Sequence, residues 1–319
     1  MSEIVACPKC NRNNGVHRVA CIYCGAALPI TKETELEKLP ALRPMDETEL
    51  GFNLVCFPSD SLTDAAARRE IEIVARLSDA QIESMLAFDK PVPLVRTQSR
   101  ADAEILYRRL LAVGVRTTIL SDEEIAIATP PRRVRRLYPT ATGAQMWSAE
   151  QTPLAWLAWD EISLVVFGTL RFRRLLTQEE NNRRNDGREI KDLSEQSGDE
   201  ATLDFFGGSL EKHFRIRAGS FDYGCLGGRM RLLATENYAQ LGDWMVERAA
   251  RAAVDRDFRQ TSKFLEFVWP STKTVERQPL RRVGVGKVAA EVASSFDNET
   301  QLTRYARMQF LLRRKGLLD

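Results

Sequence analysis

Cys7, Cys10, Cys21 and Cys24 place four of the chain's six cysteines within eighteen positions, as C-x2-C, a ten-residue spacer and a second C-x2-C. Two residues between thiols let one tight turn aim both at a single ion, and two such turns complete a tetrahedron. Pro8 presets a turn dihedral in the first pair. Gly25 gives the second pair the backbone freedom with which such a turn closes around its sulfur. A segment of about twenty residues cannot bury a core alone, so a bound metal has to supply its folding energy. Four cysteines close the coordination shell, which makes the site structural, and zinc is the ion this donor set favours.

The spacing resembles a zinc ribbon over residues 5–30, within a first domain drawn at 1–30. Two other uses of the same thiols stay open: an iron site of rubredoxin type, and paired disulfides. His17, in the spacer, can stand in for a thiolate, although a solvated loop histidine is the simpler reading. Zinc ribbons serve in nucleic-acid machines and as protein-docking modules alike, so the resemblance leaves the task open.

The remaining residues have the composition of a globular protein, 44% hydrophobic and 28% charged, and a length of 319 residues suits several domains. A formal net charge of +2 excludes a wholesale polycation, so any basic surface is local. No apolar segment precedes the first cysteines, and the most apolar window, TPLAWLAWDEISLVVFGTL, is broken by Asp160 and Glu161. These features, with Cys56 and Cys225 as isolated small apolar residues, predict a cytoplasmic protein.

Residues 31–50 read as a charged linker. Residues 51–129 then form a small α/β domain. GFNLVCFP, PVPLVR and VRTTIL are its strands. Ser61 or Thr63 starts a helix running to about Leu77, and Ser78 with Gln81 makes a capping box for a second, ending near Phe88. Ser99 with Asp102 starts a third, whose apolar stripe is Ile105, Leu106, Leu110 and Leu111 and which Gly114 ends. This β-α-α-β-α-β order, a two-layer sandwich, resembles the fold of the ribosomal stalk protein's C-terminal domain and the bacterial N-end-rule adaptor. That resemblance implies protein binding without catalysis. A generic or ferredoxin-like α/β sandwich fits the same pattern.

Residues 130–139 form a basic linker in which Arg132, Arg133, Arg135 and Arg136 are candidate anion contacts; solvated arginines are the plainer reading. Residues 140–255 are β-rich, with Trp147, Trp156 and Trp159 set to anchor a core or a surface pocket. Strands are expected at AQMWS, LAWLAW, ISLVVFGTLRFRRLL, ATLDFFG, HFRIRAG and RMRLLA. Residues 177–200, with eight acidic and four basic side chains, read as a solvated insertion. A helix capped by Thr235 follows, presenting Tyr238, Leu241, Met245, Val246 and Ala249, with Trp244 beside that stripe. Strands closed by such a helix resemble a pleckstrin-homology-type domain, a bent β-barrel or sheet with a C-terminal helix. The resemblance implies Trp244 packed beneath the helix and RFRR (171–174) as the nearest place for a lipid headgroup.

Residues 256–319 read as a C-terminal extension with an amphipathic helix built on Leu302, Tyr305, Met308, Leu311 and Leu312. GVGK fails as a phosphate loop, because Arg281 and Val288 stand where glycine and a hydroxyl are required. His213 reads as structural, and no catalytic motif is present. The fold class expected is multi-domain α+β. The expected function is a non-enzymatic cytoplasmic adaptor that binds protein partners around a structural zinc. A nucleic-acid-associated factor is the alternative, and attachment to membrane lipid the weaker one.

Overall fold

The computed structural model describes the chain except residues 1–3, 16–20, 27–38, 41, 44, 47, 48, 183–186, 280, 285, 286 and 319. His17, most of the 31–50 linker and the centre of GVGK therefore lie outside the described residues. The chain divides into two units, Met1–Asp122 and Glu123–Asp319.

In the first unit, β1 (Ile4–Ala6) and β2 (Asn13–Gly15) pair antiparallel around the first cysteine turn. The α/β part runs β3 (Phe52–Cys56), α1 (Ala65–Ala75), α2 (Asp79–Leu86), β4 (Val92–Thr97), α3 (Arg100–Ala112) and β5 (Thr117–Ser121). This is the expected element order. β3 lies between β4 and β5, antiparallel to both. The Ser78–Gln81 capping box is present, and Ser99 Oγ accepts from Asp102 N at 3.1 Å. Asp64, not Ser61 or Thr63, takes the N-cap position of α1, without a side-chain cap bond, because Asp60–Thr63 winds into a 3-10 turn ahead of it. Ala103, Leu106 and Leu110 are the buried face of α3, whereas Leu111 is 54% exposed, outside the stripe.

A buried polar node closes this part. Asp122 accepts from Gly51 N (2.9 Å), Asn53 Nδ2 (2.9 Å) and the Arg96 guanidinium (2.6 and 2.9 Å). Arg96 also donates to the carbonyls of Asp46 and Glu49, which ties the end of the linker to β4. A buried charge pair persists because each member is paired and hydrogen-bonded.

The second unit contains β6 (Arg132–Val134), β7 (Arg136–Pro139), β8 (Gly143–Trp147), β9 (Pro153–Ala158), β10 (Leu164–Asn182), β11 (Gly187–Phe206) and β12 (His213–Arg217). These are followed by α4 (Ala234–Arg248), β13 (Ala253–Asp255), α5 (Phe258–Leu265), β14 (Thr272–Arg277), β15 (Arg281–Gly284), β16 (Lys287–Asp297) and α6 (Glu299–Arg314). β7, β8 and β9 make a small antiparallel sheet. The main sheet is an open, curled half-barrel in the order β14-β16-β10-β11-β12-β6, with β13 parallel to β10 and β15 on β16.

Three expectations change here. Residues 177–200 are not a loop: β10 and β11 stay paired from Leu164↔Phe206 out to Asn182↔Gly187, and β16 flanks β10 over Phe172–Asn182. Backbone pairing on both edges of β10 holds this arm, so it needs no apolar face. RMRLLA is not a strand, but a 3-10 turn through Arg229 followed by the start of α4, for which Leu233, not Thr235, is the N-cap. Finally, the segment after 256 builds the same sheet, through β14, β15 and β16, and ends in a helix buried within it.

Alternation along the strands explains the two covered faces. Val165, Leu203, Phe205, Phe214 and Ile216 share a core with Leu241, Trp244 and Met245 of α4, where Trp159 and Trp244 meet edge to face at 5.4 Å. The opposite parity faces α6. Gly168 lets α6 approach, since a Cβ there would meet Leu302 at 2.7 Å and Thr202 Oγ1 at 2.6 Å. Phe206 stacks on Phe310 at 4.8 Å. α6 is buried on all sides from 301 to 312, including Arg304, Arg307 and Gln309, so it is a central helix and not a one-sided amphipathic one.

Candidate metal centre

The two cysteine turns are built alike. Cys7 N donates to Arg12 O (3.0 Å) and Asn11 N to Cys7 O (2.8 Å); Cys21 N donates to Ala26 O (2.8 Å) and Gly25 N to Cys21 O (2.9 Å). The residue four places after the leading cysteine therefore has positive φ in both, 55° at Asn11 and 70° at Gly25. Gly25 was legible as such a residue. Asn11 was not, although asparagine is among the side chains that adopt this conformation most readily.

All four sulfurs lie within 4.8 Å of one another, with Cys7 Sγ 3.6 Å from Cys24 Sγ and Cys10 Sγ 3.6 Å from Cys21 Sγ. Sulfurs about 2.3 Å from a tetrahedral ion sit about 3.8 Å apart, so the cluster fits one metal ion such as zinc. The thiols are free, which sets the disulfide reading aside for this structure. Cys7 and Cys21 are buried and Cys24 is exposed.

Asn14, which the spacing did not single out, organises the second turn. Its side chain is buried, donates to Arg12 O (2.8 Å) and Cys21 Sγ (3.5 Å), and accepts from Ile22 N (3.0 Å). Tyr23 N also points at Cys21 Sγ, at 3.4 Å. Burial opposes a Cys21 thiolate, but the N–H groups of Tyr23 and Cys24 and the Asn14 amide outweigh it and bring the thiol down to about 6. A thiolate held by N–H donors is the form that binds a metal. At the tip of this turn Ile22 and Tyr23 are each 54% exposed, with the Arg12 guanidinium 4.9 Å from the Tyr23 ring.

Of the other candidate residues, Arg135, Arg136 and Trp147 come together at one shallow cavity, and both guanidinium groups there are engaged by the fold. Arg132 donates to Leu154 O and lies over the Phe214 ring at 5.3 Å, Arg135 donates to Ser220 O (2.6 Å), and Arg136 pairs with Asp222 (2.8 Å) and Tyr138 Oη (3.0 Å). Burial lowers the pKa of Arg133, and the charges of Arg217 and Arg135 add to that. Trp147 lines a shallow 260 Å³ cavity with Arg135 and Arg136, Trp156 is exposed and Trp159 is in the core. In RFRR, Arg171 bonds Ser262 Oγ (3.1 Å) and Arg173 pairs with Glu195 at the surface (2.8 Å). Burial pushes the Cys56 thiol up to about 12 and the Cys225 thiol up to about 11, consistent with packing roles.

His213 belongs to a buried network between sheet and α6. Its Nδ1 accepts from Arg307 Nε (3.0 Å), so Nε2 carries the proton and donates to Asp204 Oδ2 (2.8 Å). Arg215 grips both oxygens of Asp204 at 2.7 Å and reaches Glu299 and Thr303 of α6. Both ring nitrogens are occupied within the fold, the arrangement of a structural histidine.

No helix among the described residues is long and apolar enough to cross a membrane. Comparison with known proteins adds no kin: no protein-family profile matches the chain, and neither does any curated protein or solved structure.

Proposed function

We propose that the chain is a non-enzymatic adaptor or scaffold, whose leading segment folds around one structural zinc ion and offers a rigid turn to a protein partner. The observation that carries this reading is the pair Ile22 and Tyr23, each 54% exposed on a turn fixed by the Cys21 and Cys24 sulfurs and by Asn14. Large side chains on a backbone already fixed lose little entropy on binding, the property of an interface anchor. The four soft donors leave no open coordination position, so the ion holds the turn and has no place for a substrate. The titratable groups of the second unit support the same reading, because Asp204, His213, Arg215 and Arg307 satisfy one another inside the fold.

Two measurements test it. Elemental analysis of reduced, freshly purified protein is expected to give one zinc per chain. Crosslinking in native cells is expected to capture a defined protein that Ile22→Ser with Tyr23→Ser loses while zinc content stays unchanged. Capture that ignores this double variant removes the assigned surface. Salt-sensitive binding of nucleic acid in place of a protein partner would replace the reading with the nucleic-acid one.

A further inference from the structure

Among the described residues no large apolar side chain is more exposed than Leu232, at 97%, and its neighbours Met230 and Leu233 are 56% and 55% exposed. Three such groups in water forgo the burial that ordinarily drives folding, and an apolar patch of this kind marks a surface that meets something. The backbone beneath them is firmly held. Asn237, on α4 and 5% exposed, accepts from Arg231 N through Oδ1 (2.6 Å) and donates through Nδ2 to Arg231 O (2.9 Å). Met230 N donates to Gly227 O (3.1 Å), and Asn237 N to Leu233 O (3.1 Å). In the orientation that satisfies its amide, Gln240 donates to Arg229 O (2.6 Å) and accepts from Arg231 Nε (3.1 Å). Backbone groups of Arg229, Met230, Arg231 and Leu233 are thus paired from within, which lowers the cost of taking the segment out of water.

Charge selects the kind of surface. The tip itself carries two arginines, Arg229 and Arg231, while the nearest carboxylates are Asp222, which pairs with Arg136 (2.8 Å), and Glu236 in the first turn of α4. An exposed apolar tip beside two arginines matches the interfacial layer of an anionic bilayer. Leucine and methionine enter the acyl boundary while the guanidinium groups stay at the phosphates. A bilayer takes a convex tip without a groove shaped to receive it. We propose that loop 229–233 inserts into the interfacial layer of an anionic phospholipid membrane and attaches the protein peripherally.

The test sediments the full-length protein with vesicles of phosphatidylcholine alone and of phosphatidylcholine mixed with phosphatidylserine. The wild type is expected to pellet with the mixed vesicles, less so as salt rises, and weakly with phosphatidylcholine alone. Leu232→Ser with Leu233→Ser lowers the partition about ten-fold or more. Arg229→Gln with Arg231→Gln removes the preference for the anionic mixture. Because these side chains face water, the variants keep the wild-type unfolding midpoint. In a Leu232→Trp variant, brominated acyl chains quench fluorescence beyond the wild-type level. The proposal is overturned by absence of binding to the mixed vesicles, by binding that the leucine variant leaves unchanged, or by a leucine variant that alters self-association and not sedimentation.

Discussion

Asn14 commits its whole amide to the cysteine cluster, joining the first hairpin to the second turn through Arg12, Cys21 and Ile22. Groups that orient a ligand atom without touching the ion set affinity through the ligand's geometry and charge. Asn14→Ala is therefore expected to weaken zinc binding about ten-fold or more, read by competition with a chromophoric chelator. Unchanged affinity would mean that the four sulfurs alone fix the turn. At His213 the relevant property is the proton. Burial lowers its pKa from the ordinary 6.5 to about 4, and the charges of Arg215 and Arg307 add to this against the pull of Asp204. The unfolded chain takes up that proton near 6.5 and the folded protein does not. This share of the stability is complete above pH 6.5 and is lost as pH falls toward about 4. Denaturation in urea should show a loss of about 2 kcal/mol between pH 7 and 5, absent in His213→Gln, whose amide can serve both neighbours without titrating.

Among the elements, α6 departs most from what its sequence suggests. Leu302, Tyr305, Met308, Leu311 and Leu312 trace an apolar stripe, and they are buried; so are Gln301, Arg304, Arg307 and Gln309 on the remaining faces. Arg307 meets His213 of β12, which with Asp204 and Arg215 occupies the parity facing α6, and Gln301 donates to Glu266 (3.1 Å) and to Trp269 O (2.9 Å). Arg215→Met is expected to cost about 3–5 kcal/mol in urea unfolding, because it strands the Asp204 carboxylate in a fully buried site. A small effect would mean that Asp204 finds other partners. The same pairing explains which parts were legible. Local signals, such as the Ser78 and Ser99 caps and the C-x2-C turns, involve residues a few positions apart and were readable. The reach of β10 and β11 into 177–200 was not, since it rests on backbone pairing of the two strands with each other and of β10 with β16, more than a hundred positions away, and its polar side chains carry no apolar period. Asp204 and Arg307 were equally invisible, because only the folded sheet brings them to one histidine.

At the scale of the whole molecule, the division between units falls at Asp122 and Glu123, ahead of the basic hinge. Residues 123–129, which the sequence groups with the α/β domain, supply carbonyls to a side chain of the last helix. Arg307 Nη1 donates to Ile125 O (3.3 Å) and to Ala126 O, and Nη2 to Thr129 O (2.7 Å). Ile125 is itself fully buried, and Lys315 pairs with Glu124 at the surface. A guanidinium is rigid, planar and always charged, so once desolvated it depends on acceptors set around its fork. Burial already lowers the pKa of Arg307, to about 10, even with those carbonyls in place. A fragment spanning 123–319 is therefore expected to unfold cooperatively. One starting at 130 should lose about 3–5 kcal/mol, because it leaves a buried cation short of partners. Adding Arg307→Met to both fragments should shrink that difference, since the stranded charge is then gone from each. Equal stability of the two unmodified fragments would show that 123–129 is only a tether, and the boundary would then belong at the prolines of the hinge.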